Sequence, residues 1–265
     1  MHERAAAALG FRCHYQLIEI AGAGREELKL LLEGIRRLGF AGINVTFPYK
    51  EAVPELLDEL SPGAASIGAV NTIVVRDGRL IGYNTDTTGF ARAASRLVGA
   101  SPHGAVAVIG AGGAGRAIAF ALAGLGVKQL RLFDKEPAKA SDLAAKLDDR
   151  IKARVVPSVE EALRGVVGVV NASPVGMLPN LGTPVPDRAL HAGLWVADAV
   201  YSPLWTPLLT AAKASGATVM TGREFAIHAA ADAFELFTGL APSISEMAIA
   251  FDGVMAKRHD ASNAP

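Results

Sequence analysis

Apolar runs of strand length alternate with amphipathic segments along the chain, a pattern typical of an α/β protein. In the second half, segments with helical periodicity lie between most of the predicted strands. This order predicts a doubly wound parallel sheet, the Rossmann arrangement, because parallel neighbours need a crossover helix. The predicted strands cover residues 105–109, 129–133, 153–156, 166–171, 195–200 and 217–220.

The first half also alternates between strands and helices, but it has no glycine-rich loop. Asp77-Gly78 is a strong turn signal and predicts a hairpin of residues 69–75 with residues 79–83. We predict further strands over 15–20 and 42–47, and helices over 1–10, 25–38, 51–60, 87–98, 224–237 and 245–257. Residues 101–104 are predicted to form a loop, and residues 260–265 a loose polar tail.

The chain is therefore predicted to have two α/β domains with a cleft between them. Residues 1–86 form an N-terminal substrate domain, and residues 87–221 form the Rossmann domain. Helices within residues 222–265 are expected to return to the first domain. Clefts between domains are common places for ligands to bind.

A glycine-rich turn follows the apolar strand at 105–109. Gly110, Gly112 and Gly115 fit G-x-G-x-x-G, which permits a tight turn, close approach of a pyrophosphate and close helix packing. Asp134 ends the next predicted strand, 24 residues after Gly110, where an acid can bind a ribose hydroxyl. A glycine turn with Asp134 capping a helix is the alternative. The full order of strand, glycines, helix, strand and acid favours a dinucleotide site.

Composition narrows the class of protein. The 265 residues are 51% apolar and 20% charged, which is enough for a sizeable core. Lys plus Arg and Asp plus Glu both number 26, so no basic excess indicates nucleic acid or an anionic membrane. The single cysteine fits a reducing compartment, and prolines interrupt the longest uncharged stretch. We predict a soluble, cytoplasmic protein.

Three polar stretches at strand ends point to the predicted cleft, and they contain Lys50, Asn71 and Asp86. Each has an alternative explanation. Lys50 could form a solvated pair with Glu51, Asn71 could complete a turn, and Thr85 or Asp86 could cap a helix. A metal site is not predicted: the helix face with Glu224, His228, Asp232 and Glu235 favours a solvated surface.

These motifs and the glycine turn resemble the shikimate dehydrogenase family in order and spacing, over nearly the whole chain. The end of the chain, residues 233–239, is most similar to the NAD-linked quinate/shikimate dehydrogenase branch. The motifs are Asn44-Val45-Thr46-Phe47-Pro48-Tyr49-Lys50, Gly68-Ala69-Val70-Asn71-Thr72, Gly82-Tyr83-Asn84-Thr85-Asp86, the glycine turn, and Asn171-Ala172-Ser173-Pro174-Val175-Gly176-Met177.

The resemblance implies reversible hydride transfer between a nicotinamide and the C3 hydroxyl of a cyclohexane or cyclohexene carboxylate. Lys50 and Asp86 would be the catalytic pair, since a partly buried lysine held by a carboxylate can relay the alcohol proton. The implied substrate-binding residues are Thr46, Lys50, Asn71, Asp86 and Tyr201. The implied cofactor-binding residues are Gly110, Ala111, Gly112, Gly113, Ala114, Gly115, Asp134, Lys135, Lys139, Ser173 and Gly222.

Asp134 indicates which cofactor is used. NADP-linked relatives tend to have an Asn-Arg-Thr-like stretch here, whereas a carboxylate repels the 2′-phosphate and binds a free 2′-hydroxyl. We therefore predict NAD. Lys135 and Lys139 are close enough in sequence to leave NADP use open. The oligomeric state is predicted to be a monomer or a homodimer, with a small hydroxy acid as the binding partner.

Two departures from the family pattern lie on the substrate side. The family has a strand and a Ser-x-Ser or Ser-x-Thr loop before the Met1-His2-Glu3 position, where this sequence starts. Ala229 stands where the family usually has a glutamine that reaches the substrate. Without the first strand we expect an exposed sheet edge and apolar surface. A different polyhydroxy or aminoshikimate-like substrate, or a weakly catalytic NAD-binding regulator, therefore stays as an alternative.

Overall fold

Two sheets divide the chain, and helices surround them. The computed structural model describes the backbone of residues 1–20, 22–99, 104–147 and 150–262. The first sheet has the strands β1 (Gly42–Asn44), β2 (Glu59–Leu60), β3 (Thr72–Arg76) and β4 (Arg79–Tyr83), in the order β1-β3-β4-β2. The second has β5 (Ala105–Ile109), β6 (Gln129–Phe133), β7 (Lys152–Val155), β8 (Gly168–Asn171), β9 (Trp195–Asp198) and β10 (Thr218–Met220).

The helices occupy both halves of the chain. They are α1 (His2–Ala8), α2 (Arg25–Arg37), α3 (Pro62–Ile67), α4 (Thr85–Gly99), α5 (Gly113–Gly124), α6 (Pro137–Leu147), α7 (Val159–Leu163), α8 (Pro207–Ala214), α9 (Gly222–Thr238) and α10 (Ile244–Ser262). Within the described residues, none of these helices combines the length and apolarity needed to cross a bilayer. The predicted loop at 101–103 and the last three residues lie outside the described part of the chain.

The second sheet is parallel throughout, in the order β10-β9-β8-β5-β6-β7. All five residues of the central strand β5 are buried, and they alternate between two cores. Val106 and Val108 face one apolar cluster, while Ala107 and Ile109 face the other. A parallel sheet covered on both faces needs apolar residues at every position of its central strands. This confirms the two-domain α/β fold with a doubly wound sheet.

The hairpin predicted around Asp77-Gly78 is confirmed. β3 and β4 pair antiparallel, with Arg76 opposite Arg79. Asp77 and Gly78 have φ values of 50° and 72°. Positive φ at both central residues defines the turn that matches the twist of a two-residue hairpin.

The strand predicted over residues 15–20 is wrong: these residues form no strand and pair with none in the described part of the chain. The strand β1 is an edge strand that pairs only with β3, so residues 15–20 do not occupy its free edge. Leu17 and Ile18 are 66% and 47% exposed. The alternation of side chains was present, but a strand also requires a hydrogen-bonding neighbour.

The helix predicted over residues 51–60 is also wrong. Two 3-10 turns, Tyr49–Glu51 and Pro54–Leu56, lead instead into β2. Pro54 has no N–H for an internal helical hydrogen bond and clashes with the preceding turn. The helix α3 that follows was missed. Its local signal is Ser61-Pro62, where the Ser61 hydroxyl accepts a hydrogen bond from the Ala64 N–H at 3.2 Å.

The C-terminal helices pack against the start of the chain. One apolar cluster joins Ala5 and Ala6 of α1 with Ile227 and Phe234 of α9 and Phe251 of α10. Helix α9 also packs along α4. These contacts agree with helices that return to the first half, while the domain boundaries near residues 86 and 222 stay a prediction.

Helices α4 and α9 cross closely at Gly89. A Cβ atom added to Gly89 would lie 2.7 Å from the Ala229 backbone nitrogen and 2.9 Å from its Cα. We expect Gly89→Ala to lower the free energy of unfolding by about 1–3 kcal/mol, because backbone atoms at a packed crossing cannot move away. Urea unfolding measures this loss.

The matched control for that substitution is Gly99→Ala in the same helix. A Cβ atom at Gly99 would meet nothing within 4 Å. Alanine has the higher helix propensity, so Gly99→Ala is expected to leave the protein at least as stable. Equal effects of the two substitutions would contradict a tightly packed crossing at Gly89.

Candidate active site

Lys50 and Asp86 meet in the first half of the molecule. Lys50 lies in the turn Tyr49–Glu51 that follows β1, and Asp86 lies in the first turn of α4. The Lys50 Nζ atom is 2.6 Å from Asp86 Oδ2, and the two side chains are 16% and 7% exposed. A short, buried ion pair differs from the solvated Lys50–Glu51 pair that the sequence left open.

Asn71 orients the carboxylate of Asp86. Its amide Nδ2 donates to Asp86 Oδ1 at 2.8 Å and to Thr85 Oγ1 at 2.9 Å, and its Oδ1 accepts the Thr85 N–H at 2.8 Å. Both oxygens of Asp86 are therefore engaged, one by the amide and one by the ammonium. Asn84, rather than Thr85 or Asp86, caps α4, because its Oδ1 accepts the Asp86 N–H at 3.1 Å.

The glycine turn lies directly against Lys50. A Cβ atom on Gly113 would be 2.7 Å from Lys50 Cβ and 3.1 Å from Lys50 Cδ. Glycine at this position therefore lets the lysine stem touch the start of α5. The turn itself is tight: Gly110 has a φ of 106°, and a Cβ atom on Gly115 would overlap the Gly110 oxygen at 2.0 Å.

The start of α5 fits the pyrophosphate of a dinucleotide. The N-cap residue Gly112 makes no side-chain cap, so no side chain competes for the first helical N–H groups. Asp134 lies beside them: its Oδ2 accepts the Ala111 N–H at 2.7 Å and its Oδ1 accepts the Glu136 N–H at 2.8 Å. A carboxylate with two bonds retains acceptor capacity for a ribose hydroxyl. These residues fit NAD.

The other predicted cofactor residues lie around this turn. The Ser173 hydroxyl donates to Asn171 Oδ1 at 2.7 Å, and the Ser173 nitrogen is 2.8 Å from the Cβ position of Gly110. Lys139 pairs with Glu136 at 2.8 Å, and this hydrogen bond raises the pKa of Lys139. Ala114 lies in the first turn of α5, and Lys135 is exposed. Gly222 begins α9, where a Cβ atom would be 2.5 Å from the Val200 oxygen.

The structure does not join every predicted substrate residue to the Lys50–Asp86 pair. Thr46 is exposed, and its side chain makes no hydrogen bond to the described residues. Tyr201 is also exposed, with its ring 6.0 Å from the Phe251 ring in an edge-to-face contact. Their predicted contacts with a substrate stay predictions.

Two residues near this region were missed from the sequence. The Tyr15 hydroxyl donates to Asn44 Oδ1 at 2.9 Å, and its ring stacks on His2 at 4.4 Å. Burial raises the pKa of Tyr15, and the nearby Tyr201 adds to this. Burial lowers the pKa of His2 to about 4, so its imidazole is neutral at pH 7. No spacing rule links these positions, because only the fold brings them to the start of the 44–50 motif.

A buried carboxyl group, Asp198, joins the carboxyl ends of β8 and β9 beside the loop at Ser173. Its Oδ1 accepts from Asn171 Nδ2 and from the Val200 N–H, both at 2.9 Å, and its Oδ2 accepts from the Thr206 hydroxyl at 2.7 Å. Burial raises the pKa of Asp198 to about 6, although these three hydrogen bonds oppose the shift. The group is therefore expected to titrate in the folded protein at mildly acidic pH.

This shift predicts how stability depends on pH. The pKa of Asp198 is 3.8 in its ordinary state and about 6 in the folded protein, so the folded state binds the extra proton between those values. Stability should therefore fall as pH rises through that window. We expect the free energy of unfolding, measured relative to Asp198→Asn, to fall by about 2 kcal/mol between roughly pH 4 and pH 7.

The control for the pH series is Asp77→Asn in the exposed hairpin turn, where asparagine tolerates the positive φ. The Asp77→Asn protein should follow the wild-type pH profile. An Asp198→Asn protein with that same profile would show that Asp198 titrates normally.

A doubly wound domain whose glycine turn touches a buried lysine–carboxylate pair defines a two-domain oxidoreductase that uses a nicotinamide cofactor. Residues 1–73 match the family model for the shikimate dehydrogenase substrate binding domain. The chain is 43% identical over 254 residues to a shikimate dehydrogenase (NADP(+)) of Streptomyces avermitilis, covering 93% of this chain and 87% of that one. The chain belongs to the shikimate dehydrogenase family.

Relatives in this family differ in cofactor. A quinate/shikimate dehydrogenase (NAD(+)) of Corynebacterium efficiens is 43% identical over 259 residues, covering 95% of this chain and 91% of the relative. The solved quinate dehydrogenase from Corynebacterium glutamicum, in complex with NAD, has a TM-score of 0.84 at 39% identity. The match covers 95% of this chain and 92% of the solved chain. A Thermus thermophilus shikimate 5-dehydrogenase with NADP(H) and shikimate has a TM-score of 0.81 at 37% identity, covering 95% of both chains.

Proposed function

We propose that this protein is an NAD-dependent dehydrogenase that interconverts a shikimate- or quinate-type hydroxy acid and its 3-dehydro ketone. The observation that carries the proposal is the Lys50–Asp86 pair, 2.6 Å apart, with the lysine stem against Gly113 of the glycine turn. A proton-transferring group is thereby held beside the place where a dinucleotide fits. The names of the relatives supply the substrate class.

Bound NAD would supply the hydride acceptor, and the side chains of this chain would manage the proton. In ketone reduction the Lys50 ammonium would donate a proton to the substrate oxygen as the carbon gains hydride, and in alcohol oxidation the hydroxyl proton would pass back to the Lys50 nitrogen. The carboxylate of Asp86 would hold the lysine in place and stabilise the ammonium that forms. Asn71 fixes the Asp86 carboxylate through the 2.8 Å hydrogen bond, so the pair keeps one orientation.

The substrate contacts follow from the same geometry. Lys50, Asn71 and Asp86 would bind ring hydroxyls, with Thr46 and Tyr201 contributing from exposed positions. Hydrogen-bonding groups of this kind discriminate against substrates that lack a hydroxyl, because the buried partners are then left unpaired. A second candidate is a different hydroxy acid: Ala229 is buried, with its Cβ atom at the crossing with Gly89, and offers no polar group to a substrate.

The preference for NAD is proposed on the position of Asp134. Its carboxylate lies at the end of β6 and holds the Ala111 N–H of the glycine turn at 2.7 Å. A negative charge at this position disfavours the 2′-phosphate of NADP and can accept a bond from the free 2′-hydroxyl of NAD. Both cofactors occur among the relatives, so this preference depends on the residue rather than on the family.

The direct test is the formation of NADH by the purified protein with shikimate, with quinate, and with a panel of other cyclic hydroxy acids. Turnover of shikimate or quinate supports the proposal, and turnover of only another acid supports the second candidate. If fluorescence shows that NADH binds but no acid is turned over, the enzymatic proposal is refuted and the protein is a cofactor-binding regulator.

A cytoplasmic location and a monomeric or homodimeric state complete the proposal. The support for the location is the single cysteine and a cofactor that is a soluble intracellular metabolite. Fractionation of cells and light scattering of the purified protein would test these two points.

A further inference from the structure

Arg116 is a buried cation with no part in the chemistry described above. It lies in the first turn of α5, directly after Gly115 of the glycine turn, and its side chain is 8% exposed. Burying a guanidinium group costs several kcal/mol unless it is paired. The contacts of Arg116 therefore indicate what its charge is used for.

Those contacts reach into both halves of the molecule. Within the Rossmann half, Arg116 Nη1 is 2.5 Å from Asp142 Oδ2 of α6. Towards the other half, Arg116 Nε is 3.5 Å from Glu51 Oε2. Gly68, which ends α3, lies nearby: a Cβ atom added there would be 3.7 Å from Arg116 Nη1, and 3.4 Å from Lys146 Nζ of α6.

The two residues of the first half that lie beside Arg116 are next to the candidate catalytic groups. Glu51 directly follows Lys50, and Gly68 begins the short segment that ends at Asn71. Glu51 Oε1 is also 3.3 Å from the Cβ position of Gly112, so this carboxylate lies against the glycine turn. The guanidinium group thus links the side chain that follows Lys50 to the helix that begins at the cofactor turn, and it lies beside the start of the segment that leads to Asn71.

The link to Glu51 is incomplete as a hydrogen bond. Arg116 Nε is buried and has no hydrogen-bond partner among the described residues, and its 3.5 Å distance to Glu51 exceeds that of a charge-assisted bond. An unsatisfied buried donor is costly. A small approach of Glu51 would satisfy it, so this contact favours the arrangement in which the two halves are closest.

We propose that Arg116 is a positioning residue: through Glu51 it docks the turn that carries Lys50 onto the glycine turn. The proposal rests on the proposed function, because it assigns Arg116 to the geometry of that hydride transfer. A displacement of about 1 Å between reacting groups can cost roughly 100-fold in rate. Arg116 therefore acts on the rate without touching substrate or cofactor.

The first experiment uses the protein without cofactor. Hydrogen–deuterium exchange is compared for residues 49–52 and 68–71 in wild type, Arg116→Gln, Glu51→Gln and Asp142→Asn. Loss of docking should raise exchange at 49–52 by about tenfold in Arg116→Gln and Glu51→Gln, which corresponds to about 1.4 kcal/mol of local opening. Asp142→Asn, which removes only the partner within the Rossmann half, should stay within about twofold of wild type.

The second experiment separates binding from hydride transfer. NADH affinity by fluorescence should change less than about threefold in Arg116→Gln and Glu51→Gln, while the single-turnover hydride-transfer rate falls roughly 10- to 100-fold. The double variant Arg116→Gln with Glu51→Gln should transfer hydride no more slowly than the slower single variant, since both substitutions remove the same link. Arg116→Lys keeps the charge and should recover part of the rate.

The two experiments separate the docking role of Arg116 from the proposed function. Unchanged exchange at 49–52 in both Arg116→Gln and Glu51→Gln refutes docking, as does a fall of NADH affinity by the same factor as the rate. If wild type turns over no hydroxy acid, the proposed function fails, and the exchange experiment still decides whether Arg116 docks the two halves. If Arg116→Gln does not fold, Glu51→Gln alone decides the test, because it leaves the helix α5 intact.

Discussion

Replacing Lys50 by methionine is expected to lower kcat/KM for the hydroxy acid roughly 10³-fold, within the 10²–10⁴ range of general acid–base catalysis. Methionine keeps the aliphatic stem that packs on Gly113 but cannot accept the alcohol proton or pair with Asp86. The same variant should bind NADH almost as well as wild type, because the glycine turn is unchanged. Steady-state kinetics and fluorescence titration measure the two effects.

Lys29→Met, at an exposed position of α2, is the matched control and should keep wild-type kinetics. The double variant Lys50→Met with Asp86→Asn should be little worse than Lys50→Met alone, because residues that act as a unit lose function non-additively. A Lys50→Met protein with kcat/KM near that of wild type would remove the proposed mechanism.

Changing Asp134 to asparagine together with Lys135 to arginine is expected to raise the ratio of kcat/KM for NADPH over NADH roughly 10- to 100-fold. The substitution removes a negative charge facing the 2′-phosphate and adds a guanidinium that can bind it. One charge at about 4 Å is worth roughly 1–4 kcal/mol between water and a protein surface, and the expected change, about 1.4–2.8 kcal/mol, lies within that range. Initial rates with both cofactors at several concentrations measure the ratio.

Lys135→Arg alone is the control for that change, since it retains the carboxylate and should leave the ratio within about threefold. Asp134 accepts the backbone N–H groups of Ala111 and Glu136 with its two oxygens, and asparagine has only one oxygen, so one of these hydrogen bonds is lost. A thermal unfolding curve shows whether the turn is preserved. Comparable efficiency of the wild-type protein with NADPH and NADH would contradict the proposed NAD preference.

Much of the second half could be predicted because its signals are local. β5 and β6 were predicted with the bounds that the structure has: β5 is a continuous apolar run, and in β6 the buried Leu130 and Leu132 alternate with Gln129 and Arg131. The glycine turn and the Asp77-Gly78 hairpin likewise depend on φ values that few residues tolerate. Pro54 is a local signal of the same kind, and in the structure it overrides the helical spacing of the apolar residues around it.

The candidate site could be predicted only as a set of residues. The motifs around Lys50, Asn71 and Asp86 were recognisable, but Lys50 had an equally reasonable partner in Glu51. Asp86 is 36 residues from Lys50 along the chain, and the tertiary structure places its carboxylate 2.6 Å from the lysine nitrogen. The Glu51 side chain lies towards Arg116 instead. Which of two acids a lysine meets depends on how separate elements pack, and no spacing along the chain encodes it.

The sequence by itself determined the parallel sheet, its glycine turn, the hairpin and the family, because each depends on residues that are neighbours along the chain. Only the tertiary structure decided that residues 15–20 form no strand, that Tyr15 meets Asn44, and that Arg116 reaches the carboxylate of Glu51 beside Lys50. A strand, a hydrogen bond and a buried ion pair each need a partner, and the position of a distant partner is set by the packing of the whole chain.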